Sequence, residues 1–414
     1  MRIGFFIWEY PPRIVGGLGT YGENICPQMA KQGHEVTVFT LKDSTLKIKE
    51  IINGVNVYRS ITLPNAAEFI GICLREDIRN WGTGMKFFVD VFLYNILSAV
   101  KVIRLIKEKG YKFDIISAHD WLSAIAGVLV KKETGAPLVF HIHSTEWGRV
   151  SNGSPTIKEI EKTAAQIADA IITVSYPMQE DLIRHGFPGE KIKVCWNGVD
   201  PEKYDPTKVS KEDVERLREK YGIGPEERML LFIGRLTGVK GIINLIQAMP
   251  MILNKHPEAK LVILGKGELE QTISDLIRIL RIEERIKTKF EFVSEQERIL
   301  HYAASDLCIF PSQYEPFGIV ALEAMSMEKP VVVGASGVSG FRDVVIPSGP
   351  EQTGIHVNGN NPADIAWGIN ALLEDMERAK EMGKRGRIRV KQYFTWEKVA
   401  ERTLSIYQEV IKGV

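Results

Sequence analysis

The sequence predicts an α/β protein of two doubly wound domains, each a parallel sheet covered by helices on both faces. Three observations carry this. Short apolar runs alternate with segments of helical period along the whole chain, as in a parallel sheet with crossover helices. The runs are almost continuously apolar, as strands buried on both faces require. The alternation breaks once, in a charged, Pro- and Gly-containing stretch at 201–227, and then starts afresh. The 414 residues suffice for two or three domains with cores of their own.

In the first half, strands are predicted at 3–7, 35–40, 114–118, 137–141, 170–174 and 191–195, with helices at 21–31, 96–109 and 156–167. Residues 61–84 show no period and read as a loop-rich insertion. The apolar stretch 87–106 holds Asp90, Lys101 and Arg104 at helical spacing, which suits a partly exposed helix and not a membrane span. In the second half, strands are predicted at 229–234, 260–264, 286–292, 307–310, 330–334 and 354–357. Trp396 opens a last amphipathic helix with no strand after it. The domains are therefore placed at 1–200 and 201–395. There is no low-complexity tract and no short-period repeat.

Composition narrows the function. A formal net charge of +1 sets up no bulk field for nucleic acid or an anionic membrane. Cys26, Cys73, Cys195 and Cys308 form no C-x-x-C pair and sit among apolar neighbours, which suggests free thiols in a reducing compartment. Arg2 leads into a strand-like run, not a signal peptide. A cytoplasmic protein without nucleic-acid partner or membrane span is expected. His119, His141, His143 and His185 fall in the first half, but their spacing specifies no complete ligand set, so no metal is expected. The basic run 384–389 reads as a solvated helix face. Nothing in the pattern sets an oligomeric state.

Gly17, Gly19 and Gly22 spell G-x-G-x-x-G and suggest an NAD-dependent oxidoreductase. A dinucleotide loop, however, follows its strand directly. Here residues 8–15, including Pro11 and Pro12, intervene. The long loop instead lets Gly16 and Gly17 bring backbone N–H groups to a phosphate, while Gly19 and Gly22 ease packing at the next helix. In the second half, Arg235 and Lys240 lie just beyond a strand. They suit a diphosphate, or they are solvated surface cations. A helix is predicted to begin near Phe317, behind Pro316, with the N–H groups of Gly318 and Ile319 forming an anion site. Glu315 lies in the preceding loop. Glu323 lies in an apolar run, where a buried carboxylate needs partners such as sugar or ribose hydroxyls.

Glu315 and Glu323 with seven residues between them, together with Gly234-Arg-Leu-x-x-x-Lys-Gly241, resemble the retaining glycosyltransferases of the GT-B fold. The nearest groups are the family-4 enzymes and the short glycogen and starch synthases. The resemblance spans essentially the whole chain. Trp8-Glu-Tyr-Pro-Pro12 with Val15-Gly-Gly-Leu18 resembles the glycine-rich donor loop. Ala118-His-Asp-Trp121 and His143-Ser-Thr-Glu146 resemble two further active-site loops, and Asn197-Gly-Val-Asp200 the element closing the first domain. Two Rossmann-like domains facing a central cleft are implied, with helix 396–414 returning to the first, acceptor-side domain and the second binding the nucleotide-sugar.

The resemblance also implies roles. Arg235 and Lys240 would hold the donor diphosphate, and Glu323 the ribose. Glu315 would contact the hydroxyls of the transferred sugar, with the backbone of Phe317, Gly318 and Ile319 nearby. His143 would lie near the anomeric carbon, and Gly16 and Gly17 would approach the phosphates. Asp120, Trp121 and Glu9 would line the acceptor side. The departing phosphate would deprotonate the acceptor on the same face, with no protein nucleophile. No D-x-D triplet occurs, so neither metal nor other cofactor is expected and the nucleotide-sugar is a substrate.

The expected reaction moves glucose from UDP-glucose or ADP-glucose to an α-1,4-glucan, as in glycogen synthases. The aromatic residues of Trp8-Glu9-Tyr10 and His119-Asp120-Trp121 favour this, because their faces suit sugar stacking. The alternatives are a family-4 hexosyltransferase with a lipid-linked or small-molecule acceptor, and a non-catalytic binder, which the intact Arg235, Lys240, Glu315 and Glu323 oppose. Ser339 before Gly340, where glycogen synthases usually carry two glycines, is a departure. So is Phe292-Val-Ser294, which lacks a usual glycine. Gly265-Lys-Gly267 matches the family's turn.

Overall fold

In the computed structural model, which describes residues 1–43, 45–63, 65–82, 84–149 and 152–413, the first half folds around one sheet. Its strands are β1 (Arg2–Phe6), β2 (Glu35–Leu41), β3 (Lys49–Ile52), β4 (Val55–Ser60), β5 (Ile115–His119), β6 (Leu138–Ile142), β7 (Ala170–Thr173) and β8 (Ile192–Val194). Their order is β3-β4-β2-β1-β5-β6-β7-β8. All neighbours are parallel except β3 on β4. The exception is a hairpin turned by Asn53 (φ 50°) and Gly54 (φ 80°), the pair that a tight two-residue turn prefers.

The second half builds an all-parallel sheet from β9 (Arg228–Ile233), β10 (Ala259–Leu264), β11 (Ile286–Lys289), β12 (Leu307–Phe310), β13 (Val331–Gly334) and β14 (Gly354–Val357). The order, β11-β10-β9-β12-β13-β14, is that of a dinucleotide-binding sheet. Its central strands are buried on both faces under helices such as Ile242–Lys255 and Pro362–Leu373.

Three expectations change. β3 and β4 were not predicted, because short strands with one exposed face (Val55–Ser60 alternates buried and half-buried) lack the apolar run used to find the others. The helix expected at 96–109 runs from Gly84 to Lys107. The insertion 61–84 contains short helices at Ala66–Ile70 and Glu76–Arg79; Pro64 and Thr83 lie outside the described residues.

One compact unit comprises Met1–Val174, Gln179–Trp196 and the chain from Trp396; the other comprises Ser175–Met178 and Asn197–Thr395. Residues 197–200, expected in the first domain, pack in the second. There the Val199 N–H donates to Phe394 O at 2.8 Å. Ser175 likewise donates its hydroxyl to Pro316 O at 2.6 Å. The last helix, Trp396–Gly413, lies in the first unit, where Trp396 meets the ring of Tyr21 at 6.0 Å. Val414, the end of the expected helix, lies outside the described residues. Among the described residues no helix is long and apolar enough to cross a membrane.

Candidate active site

Each sheet reverses its winding near the centre, between β1 and β5 in the first unit and between β9 and β12 in the second. Loops leaving the carboxyl ends of such strands diverge, and ligands bind there. The residues singled out in the sequence follow these strands or their neighbours. Glu9, Gly16 and Gly17 follow β1, Asp120 and Trp121 follow β5, and His143 follows β6. Arg235 and Lys240 follow β9, and Glu315 to Gly318 follow β12.

In the second unit the loops after β9 and β12 touch. Gly241 has φ 70°, and a Cβ there would lie 1.9 Å from the carbonyl oxygen of Pro311. This close approach brings Lys240 Nζ to 2.5 Å from Glu315 Oε2, which also accepts from Ser312 Oγ at 3.2 Å. Arg235 is exposed, and its guanidinium has no partner among the described residues. Helix Ile319–Ser326 starts after Gly318 (φ 97°) with no side-chain cap, so its first N–H groups keep their donor capacity. Phe317 is buried and contributes only backbone. The loop after β13 closes the group: Glu315 N–H donates to Val338 O at 3.0 Å, and Gly340 N–H to Glu315 O at 2.8 Å. Ser339 fits because its hydroxyl turns inward to Gly334 O at 2.7 Å, while a Cβ at Gly340 would meet Phe317 Cα at 2.5 Å. The turn Gly265-Lys266-Gly267 packs on the loop after β9, where a Cβ at Gly265 would lie 1.8 Å from Gly234 O.

Glu323 is buried, and its partners belong to the chain. Tyr204 donates to Oε1 at 2.9 Å and Tyr302 to Oε2 at 2.8 Å; Arg298 Nη2 stands 3.4 Å from Oε1. Burial works against the Arg298 charge, but Glu323 and Tyr204 outweigh it and hold its pKa above the usual value. A carboxylate offers about four acceptor positions, so one remains for a ligand hydroxyl. The burial of Glu323 therefore does not by itself call for a sugar.

In the first unit the glycines divide. A Cβ on Gly16 or Gly17 would meet nothing within 4 Å, whereas one on Gly19 would meet Glu9 Oε2 at 2.9 Å and one on Gly22 would meet Ile7 Cδ1 at 2.8 Å. Glu9 is buried and accepts the N–H groups of Val15 (2.9 Å) and Gly16 (3.0 Å), so it shapes the glycine loop. Asp120 has φ 54° and ψ 178°, a conformation almost confined to glycine. Its Oδ1 accepts the N–H groups of His143 (2.7 Å) and Ser144 (3.3 Å), which fixes the His143 backbone. His143 is half-buried; burial lowers its pKa, with Asp120 opposing. Trp121 is 4% exposed and stacks on Phe88 at 6.0 Å; Trp8, equally buried, packs edge-on against Phe87 and Tyr94. These indoles offer no free face for sugar stacking, which corrects the expectation that they form an acceptor platform.

Sequence reasoning missed Ser312, Arg298, Tyr302 and Tyr204, whose role arises only when separate segments meet. It also missed that His119, His141 and His143 cluster, with ring nitrogens within 4.8 Å of one another. The alternation of His141 and His143 placed those two on one face; the strand pairing of His119 with His141 adds the third.

Comparison with known proteins bears on the family and the fold. The family described as Glycosyltransferase Family 4 matches residues 15–203, and that described as Glycosyl transferases group 1 matches residues 213–389. An uncharacterized glycosyltransferase of Methanocaldococcus jannaschii is 35% identical over 415 residues, covering 99% of this chain and 98% of its own. The glycogen synthase of Mycobacterium tuberculosis is 29% identical over 430 residues, 100% of this chain and 96% of its own. An alpha-maltose-1-phosphate synthase of Mycolicibacterium smegmatis is 31% identical over 435 residues, 99% and 100%. Among solved structures, a sucrose-phosphate synthase from Thermosynechococcus elongatus has the same fold, with a TM-score of 0.77 at 23% identity over 100% of both chains. So does Anabaena HepE in complex with UDP-glucose, with a TM-score of 0.74 at 21% identity over 100% of both chains.

Proposed function

We propose that this chain, which belongs to the family-4 glycosyltransferases, moves glucose from UDP-glucose or ADP-glucose to an α-1,4-glucan with retention of configuration. The observation that carries the reading is the Lys240–Glu315 pair, set beside the exposed Arg235 and the uncapped helix start at Gly318.

Breaking the bond between sugar and diphosphate builds negative charge on the leaving group. Fixed cations and helix-terminal N–H groups stabilise charge where it develops. In this reading Arg235 and Lys240 bind the diphosphate, and the N–H groups after Gly318 add to them. Glu323 binds a ribose hydroxyl through its remaining acceptor position. Glu315 and His143 orient the sugar, and Gly16 and Gly17 leave room for backbone to approach the phosphates. Asp120 acts through the His143 backbone and Glu9 through the glycine loop. The departing phosphate takes the acceptor proton on the face it leaves, so no protein nucleophile is invoked. Two cations serve where a metal otherwise would, and activity is expected to persist in EDTA. The free, buried Cys26, Cys195 and Cys308 suit a cytoplasmic enzyme.

A glucan acceptor is supported by the likeness to glycogen synthase. A small acceptor is the second reading. It is favoured by the covered faces of Trp8 and Trp121, which leave no stacking platform there for a long chain, and by the likeness to alpha-maltose-1-phosphate synthase. A lipid-linked acceptor belongs to the same reading. The test is a mass-spectrometric screen of UDP- and ADP-glucose against glycogen, maltose and glucose 1-phosphate. Chain lengthening with release of nucleoside diphosphate is expected. Transfer to small acceptors alone would replace the first reading with the second, and no transfer to any acceptor would sink both.

A further inference from the structure

The three clustered histidines do not meet as metal ligands. His119 and His141 lie 4.2 Å apart and His119 and His143 5.4 Å apart, with planes 29° and 24° from parallel. His141 and His143 are within 16° of parallel. Lone pairs of stacked rings run side by side, whereas a metal needs them to converge. The rings connect instead through their edges. His143 Nε2 is 3.1 Å from His119 Nδ1, and His119 Nε2 is 2.7 Å from Ser117 Oγ. Ser117 Oγ is 2.8 Å from the hydroxyl of Tyr407 on the last helix, which is 2.9 Å from His141 Nε2. At the far end His141 Nδ1 is buried and has no partner among the described residues.

Each link carries one proton, so the chain runs one way or the other. Run from His143 towards His141, it leaves an N–H on His141 Nδ1 with nothing to receive it. An orphaned buried donor disfavours that arrangement by roughly tenfold to a hundredfold. Run the other way, His141 Nε2–H donates to Tyr407, Tyr407 to Ser117, Ser117 to His119 Nε2, and His119 Nδ1–H to His143 Nε2. Only a bare lone pair is then left at His141, which costs less than an orphaned N–H.

We propose that this relay fixes His143 as the tautomer protonated on Nδ1, so that it offers a bound ligand a hydrogen-bond donor and not a base. His119 and Tyr407 are positioning residues for it. Burial holds the chain neutral: it pushes His119 and His141 well below the usual imidazole range, with the neighbouring rings adding, and it lowers His143. The backbone is held too, since the His119 N–H donates to Ser123 Oγ at 2.6 Å and the His143 N–H to Asp120. The use made of the donor rests on the proposed transfer reaction; the tautomer does not.

Long-range proton–nitrogen NMR of the full chain labelled with 15N-histidine tests this near neutral pH, with the His143 signals assigned by their loss in H143Q. Protonation on Nδ1 is expected for His143 and His119, and on Nε2 for His141. A His143 protonated on Nε2, or on both nitrogens, overturns the inference. Tyr407→Phe removes the hydroxyl joining His141 to Ser117 and frees Ser117 to turn either way. A second His143 population protonated on Nε2 is expected. A Y407F protein showing only the Nδ1 form overturns the role of Tyr407. The wild-type spectrum needs no donor, and H143Q serves only to assign it. The assigned tautomers without transferase activity would sink the proposed function alone, and activity with the opposite tautomer would sink the relay alone.

Discussion

Lys240 Nζ stands 2.5 Å from Glu315 Oε2, the lysine side chain 20% exposed and the glutamate 9%. The pair ties the loop after β9 to the loop after β12 and leaves Lys240 two further N–H groups to give. In the proposed reaction a diphosphate would meet a cation already held in place, with Glu315 held in turn by Ser312. Preorganisation of this kind spares the site from reorganising as charge develops.

Lys240→Ala is expected to cut turnover about a hundredfold or more, the usual worth of one transition-state donor. It also leaves Glu315 to Ser312 alone, a loss of roughly 1.5–3 kcal/mol for a hydrogen bond to a charged group. The double variant K240M/E315Q should recover melting temperature but not turnover. Full turnover in a less stable K240A protein would leave Lys240 a structural partner only.

The two glycine pairs should separate in experiment. Gly17 opens its helix with space around it, so Gly17→Ala should hold or raise the melting temperature, by up to about 1 kcal/mol in stability. The same change should raise the donor KM. Gly19→Val should lower the melting temperature, because its Cβ meets Glu9 and Ile14. An unaltered KM in G17A would remove the glycine loop from the donor site.

Glu323→Gln keeps the shape of the carboxyl group but turns an amide N–H₂ towards one of three donors. Affinity for UDP, measured by calorimetry, is expected to fall about tenfold, or about 1.4 kcal/mol. Unchanged affinity with reduced stability would restrict Glu323 to holding Tyr204, Tyr302 and Arg298 together.

Glu161 gives a pH prediction. Burial raises its pKa to about 8, against the pull of Arg149 at 3.5 Å. The folded chain therefore keeps a proton that the unfolded chain releases near pH 4.3, about the free glutamate value. The stability this contributes is whole below that value and is lost as pH rises through about 8. Glu161→Gln cannot ionise. Its melting temperature should match the wild type at about pH 4 and exceed it at about pH 9. A difference that does not vary with pH would mean that Glu161 has no raised pKa.

The parallel strands were legible because burial on both faces writes a continuous apolar run. The edge hairpin β3–β4 was not, although Asn53-Gly54 was the available signal. Arg235, Lys240 and Glu315 could be read as a group because each lies in the loop after a strand, and such loops share one edge of a sheet. Tyr204, Arg298 and Tyr302 come from other segments and converge on Glu323 only in the fold. The aromatic residues misled for a related reason: Trp8 and Trp121 follow strands as ligand-facing residues do, but a helix bearing Phe87, Phe88 and Tyr94 covers them.

The anomeric configuration of the first product tests the central claim most directly. It can be read by proton NMR after transfer from UDP-α-glucose to a glucan or sugar-phosphate acceptor. The predicted product is α-linked, formed with release of UDP. A β-linked product would contradict retention and the same-face route through Arg235 and Lys240.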